Sequence, residues 1–161
     1  MSHIEMMRLA EKVALKSVCK RAQVGAVVIT KSGKRYTGYN LNAHNPCAVC
    51  EGADGRTLPD VIHAEDHALG FVDESDGAVI YVTRQPCIKC AQLITAAGIK
   101  TVYYRDADDK TWGLRWLAWH GVEVDSRWIL GQTQDSWADR WQSACDACPQ
   151  SGDGVCCGGV R

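Results

Sequence analysis

Two short stretches of this chain hold the residue types that metal-assisted hydrolysis needs. One is His63-Ala64-Glu65; the other is Pro86-Cys87-Ile88-Lys89-Cys90. Two thiolates and one imidazole make a three-ligand set for zinc, with the fourth tetrahedral position left open for water. Zinc held in that way lowers the pKa of its water toward neutrality, so hydroxide becomes available as a nucleophile. Glu65 follows His63 too closely to replace it easily as a ligand. It is better placed to carry protons, from the bound water to a substrate and then to a leaving group. A closed structural zinc would use the same three ligands plus a fourth, and would have no use for a proton carrier.

The elements around these motifs support an open site. Residues 63–72 read as a helix and 78–83 as a strand, and a second helix opens at Pro86 and closes before Gly98. Both ligand groups then stand at helix N-termini, where the partial positive charge favours thiolates. Upstream, Ser2 and Glu5 form a capping-box pattern for a helix extending to about residue 19. The β-branched run 24–30, the Ser32-Gly33 turn and the return over 35–39 predict a hairpin. Residues 40–59, rich in Asn, Pro, Gly and Cys, predict a long functional or metal-stapled loop. A strand at 101–104, a helix at 110–120, a short strand at 122–124 and a helix near 135–145 complete the chain before a Gly/Cys-rich tail. Alternating strands and helices predict an α/β layered domain around a sheet of about five strands.

Composition narrows the partners. The 161 residues suit one compact domain. A net charge of -1 and a pI near 6.5 do not provide the basic face that a polynucleotide needs, but they admit a small anionic substrate. The N-terminal stretch lacks the pattern of a signal peptide and no stretch is apolar enough to span a bilayer, so no membrane partner and a cytoplasmic location are expected. In a reducing compartment the nine cysteines read better as metal ligands than as disulfides. Trp112, Trp116 and Trp119 recur at helical spacing, as do Trp137 and Trp141. That is more aromatic surface than one small core hides, and it predicts a homo-oligomer.

The two motifs match the H-x-E…P-C-x-x-C signature of zinc deaminases. The stretches 17–28 (SVCKRAQVGAVV), 37–40 (TGYN), 81–87 (YVTRQPC) and 97–104 (AGIKTVYY) add a resemblance to bacterial and phage deoxycytidylate (dCMP) deaminases, within the cytidine/deoxycytidylate deaminase superfamily. The resemblance covers about residues 10–124. It implies a three-layer α/β/α domain over 1–125 with a central mixed sheet, and leaves 126–161 as a helix and tail in the same domain or partly disordered. The implied reaction is hydrolysis of dCMP to dUMP and ammonia, by zinc-bound hydroxide attack on C4 with Glu65 as proton shuttle. Residue by residue, the backbone N–H of Ala64 would bond the pyrimidine O2 and Glu65 would contact N3. Asn40 would hold the sugar 3′-hydroxyl, and Arg21 and Arg105 would meet the 5′-phosphate. The family also implies a hexamer, with a dimer as the smaller alternative.

A second, structural zinc is implied as well, held by Cys19, Cys47 and Cys50 with His44 as fourth ligand. One alternative completes a site at Cys47 and Cys50 with Cys145 and Cys148; another leaves the tail cysteines, including Cys156 and Cys157, to bind metal alone or stay free. The chain departs from the family at Leu41, where Gly usually follows Gly-Tyr-Asn, which bears on regulation by nucleoside triphosphates. It departs again at His67, where the family usually has Asn and riboflavin-pathway deaminases have His. Competing readings are a riboflavin-pathway or other small-molecule deaminase, a tRNA deaminase and a non-catalytic zinc scaffold.

Overall fold

A computed structural model of the chain describes residues 2–126. The helix expected near 135–145, Trp137, Trp141 and the tail cysteines lie outside the described residues.

The expected five-stranded sheet forms, with its strands in the order 35–39, 25–29, 79–84, 101–106 and 123–125. β1 (Gly25–Ile29) and β2 (Arg35–Tyr39) make the predicted antiparallel hairpin, and β1 also pairs antiparallel with β5 (Val79–Arg84). β6 (Thr101–Asp106) and β7 (Glu123–Asp125) continue in parallel, so the sheet is mixed. Strand alternation sends neighbouring residues to opposite faces. Val27 and Tyr81 meet Met6, Met7 and Ala10 of α1 (His3–Ala14) on one face. Ala26, Val28, Ile80, Val82 and Val102 face α2 (Ala64–Leu69), α3 (Ile88–Ala96) and α4 (Trp112–Trp119) on the other. Three α/β/α layers result.

Two glycines set how closely the site-bearing elements approach. A methyl group on Gly38 of β2 would collide with the backbone of Ala64 and Ala68, and one on Gly113 of α4 would collide with the carbonyl oxygen of Pro86. α2 and the turn before α3 are thus seated backbone to backbone.

Some boundaries differ from expectation. α1 opens on the predicted capping box, with the Ser2 N–H donating to Glu5 at 2.8 Å and the Glu5 N–H donating to Ser2 Oγ at 3.3 Å. It ends at Ala14 rather than near residue 19, because Ser17 Oγ donates to the Asn40 carbonyl and accepts from the Cys19 N–H. Side-chain bonds of this kind draw a chain off its helix. The long 40–59 segment is loop-like, but its base is closed by two short antiparallel strands, β3 (Leu41–Asn42) and β4 (Val61–Ile62). Among the described residues, no helix is long and apolar enough to cross a membrane.

Candidate active site

His63 and Cys87 are the N-cap residues of α2 and α3, both with extended backbone, and neither side chain caps its own helix. N-caps usually carry Ser, Thr, Asp or Asn to satisfy the free helical N–H groups. Here the two side chains turn toward one another instead. His63 Nδ1 lies 3.6 Å from Cys87 Sγ and 3.4 Å from Cys90 Sγ. Zinc bonds of about 2.3 Å to sulfur and about 2.0 Å to nitrogen give tetrahedral edges of roughly 3.5–3.8 Å, so this donor set fits zinc. Among the described residues these are the three whose donor atoms cluster in this way.

The surroundings polarise the group. A hydrogen bond from Cys90, with help from His63, pushes the Cys87 thiol down to about 3, so it is a thiolate. The same bond to Cys87, and burial, raise the Cys90 thiol. Glu65 is 4% exposed, and burial raises its carboxyl to about 7. It lies beside Cys90 without joining the three-donor cluster.

His63, Glu65 and Cys87 open into a cleft of about 360 Å³, a volume suited to a small-molecule ligand. Ala64, Asn40 and Arg21 line it too. Ala64 is the first residue of α2, so its N–H has no acceptor within the helix. The Asn40 amide fastens the 22–24 segment: Nδ2 donates to the Ala22 carbonyl and Oδ1 accepts from the Val24 N–H, both at 2.8 Å. Arg21 is exposed on the rim.

Arg105 is not brought to this cleft. Its guanidinium donates to Glu11 at 2.9 Å and pairs with Asp106, on the α1 side of the sheet. The cause is strand parity: Tyr104 faces the main core, so its neighbour Arg105 must face the other way. His67 does not line the cleft either; Nδ1 lies 2.9 Å from the Tyr39 carbonyl oxygen on β2. The expected second-zinc ligand set is not assembled. Cys19 and Cys50 are joined as a disulfide, His44 lies 2.9 Å from Asp60, and Cys47 is exposed. The two sulfurs that the sequence assigns to metal are thus adjacent in space, with the other two residues of the set apart from them. Topology explains the pairing: the bend after α1 carries Cys19 under the loop that carries Cys50.

Sequence reasoning missed several cleft residues. Glu51 accepts the backbone N–H groups of Lys20 and Arg21 at 3.0 and 2.8 Å. Arg84, Gln85, Asp108 and Lys110 also line the cleft. A hint was available for Arg84 and Gln85, which lie in the 81–87 stretch just before Pro86-Cys87; Glu51, Asp108 and Lys110 arrive through contacts distant in sequence.

The sequence model of the family described as cytidine and deoxycytidylate deaminase zinc-binding region matches residues 1–106. The chain is 38% identical over 112 residues to the deoxycytidylate deaminase of Mycobacterium phage D29, across 60% of this chain and 88% of that one. It is 40% identical over 110 residues to ComE operon protein 2 of Bacillus subtilis, across 62% of this chain and 56% of that longer one. Among solved structures it is similar to the dCMP deaminase of cyanophage S-TIM5 in complex with dCMP and dUMP. The TM-score is 0.71 and the identity 36%, over 78% of this chain and 98% of that chain. A Thermotoga maritima diaminohydroxyphosphoribosylaminopyrimidine deaminase/reductase gives a TM-score of 0.57 and 26% identity, over 74% of this chain and 34% of that one.

Proposed function

Because this chain belongs to the cytidine and deoxycytidylate deaminase zinc-binding family, we propose that it is a zinc-dependent deoxycytidylate deaminase, converting dCMP and water to dUMP and ammonia. The carrying observation is the buried Glu65 carboxyl beside the His63, Cys87 and Cys90 donors, at the floor of a nucleotide-sized cleft. The phage relatives favour dCMP over a riboflavin precursor, since the riboflavin-type neighbour is the more distant in both identity and shape.

His63, Cys87 and Cys90 hold the zinc, which when bound supplies the Lewis acid that makes hydroxide available near neutral pH. Glu65 does the proton work. It takes a proton from the attacking water and passes it to N3 as the C4–O bond forms. It then takes the remaining proton from the C4 hydroxyl and delivers it to the amine as the C4–N4 bond breaks and the C4 carbonyl forms. A carboxyl raised by burial is matched to this double task, because it both accepts and returns protons near neutral pH. The Ala64 N–H, left over at the start of α2, binds O2 and fixes which ring edge meets Glu65. Asn40 retains one amide hydrogen for the sugar 3′-oxygen, and Arg21 supplies a guanidinium for the 5′-phosphate.

We also infer a second, structural zinc at Cys19 and Cys50, whose sulfurs already converge. In a reducing cytoplasm both are free thiols, and metal takes the place of their bond; His44 and Cys47 on the same loop are the remaining donors of the expected set. A homo-oligomer, a hexamer or a dimer, is supported by the exposed Trp112 and Trp119. Ammonia release with dCMP, cytidine, dCTP and adenosine tests the main reading. dCMP should be the best substrate; turnover confined to another of them, or to none, would reject it.

A further inference from the structure

Gln85 is 6% exposed at the end of the cleft wall, and both ends of its side-chain amide are committed. Oε1 accepts the Asp108 N–H at 3.1 Å, and Nε2 donates to the Lys110 carbonyl at 2.9 Å. Its backbone N–H donates to the Asp106 carbonyl at 2.8 Å. A buried amide bonded this way fixes the path of the loop it holds, here the connection between β6 and α4. That loop faces the cleft through Asp108 and Lys110.

The charges on this loop are unequal in what they have left to offer. Asp108 Oδ2 accepts from Arg84 at 2.7 Å, and Oδ1 accepts the Lys110 N–H at 3.0 Å. Arg84 and Asp108 therefore offset one another. The ammonium of Lys110 is exposed and, among the described residues, makes no side-chain hydrogen bond; with Arg84 it helps to hold the Asp108 carboxyl low. Elsewhere in the lining, Glu51 sets a carboxylate against the Arg21 backbone, and hydrogen bonds from Arg21 and Lys20 keep its pKa low, so it stays charged. A phosphate dianion placed beside Arg21 alone would meet that negative charge. A second cation in the lining of the same cleft would offset it.

Resting on the nucleotide reading of this cleft, we propose that Lys110 is a specificity-determining residue that receives the substrate phosphate, and that Gln85 is the positioning residue that aims it. Lys110 makes the site prefer the nucleotide over the nucleoside. Gln85 acts through the loop, which it keeps from carrying the ammonium away.

The test uses the full, zinc-loaded chain with dCMP and deoxycytidine as probes and ammonia release as readout. Lys110→Ala should lower the ratio of kcat/KM for dCMP to that for deoxycytidine by roughly ten- to a hundredfold, the range of a lost charge-assisted bond. Lys110→Arg should restore most of that ratio. Gln85→Ala should move the ratio the same way, through KM rather than kcat, with zinc content unchanged. Lys110 is exposed, so its replacement leaves the fold in place. Equal losses on both substrates, or an unchanged ratio, overturn the proposal while the dCMP assignment stands. A wild-type chain that deaminates neither probe overturns the dCMP assignment itself, and this inference with it.

Discussion

At the residue scale, Glu65 and the zinc ligands have separable duties. Replacing Glu65 with Gln keeps size and burial but removes proton transfer. Zinc content should match wild type, while turnover falls by about a hundredfold or more. Metal analysis beside ammonia release checks both halves, and loss of zinc with activity would move Glu65 into the ligand set. The same analysis should find two zincs per chain in reduced protein, and Cys50→Ser should retain one. A single zinc unchanged by Cys50→Ser would remove the second site. These residues were unequally legible in the sequence. His63, Glu65, Cys87 and Cys90 come from two compact motifs, and the spacing within each marks them. Glu51 and Lys110 reach the cleft through folding of distant segments, and no local pattern marks them. Arg105 misled because its side of β6 depends on which strand face meets α1, a parity that no single residue reveals.

At the element scale, the site is held by close seating of backbone on backbone. Gly113→Ala should force α4 away from the Pro86 carbonyl, costing about 1–3 kcal/mol as overpacking does. It should also weaken zinc retention against a chelator. Thermal unfolding with and without chelator measures both, and an unchanged melting temperature would show that α4 shifts freely. A second fastening lies on the surface. Asp73, after α2, accepts from Tyr36 and Lys34 of the β1–β2 hairpin, and these bonds hold its carboxyl down to about 2 from 3.8. A folded-state pKa below the unfolded value contributes stability above the unfolded pKa and loses it as pH falls toward the folded one. Asp73→Asn should therefore lower the melting temperature by a constant amount at neutral to mildly acidic pH. The gap should narrow below pH 3.8, and one independent of pH would argue against the carboxylate. The strands and the hairpin were readable because their β-branched runs and turns are local. The end of α1 was not, since Ser17 is drawn off the helix by Asn40 from another element.

At the scale of the whole molecule, a single sheet separates a small α1 layer from the larger layer that carries the site. The layer order was legible from alternating strands and helices; the outer surface was not, because exposure depends on what covers each helix. Trp112 and Trp119 are 64% and 79% exposed on α4, a large apolar area for a free surface. Light scattering at micromolar concentration should give a mass above that of one chain, and Trp119→Glu should lower it. A monomeric mass for the wild type would leave these tryptophans without a subunit role. The sheet also has two unlike ends. Donors and cleft gather where β5 finishes, whereas the β1–β2 turn lies where β5 begins, as their antiparallel pairing requires. Gly33 in that turn has a positive φ of 84° and open space around it. The turn is thus a natural attachment point: an epitope or surface tether spliced in there would immobilise the enzyme with its mouth pointing away from the support.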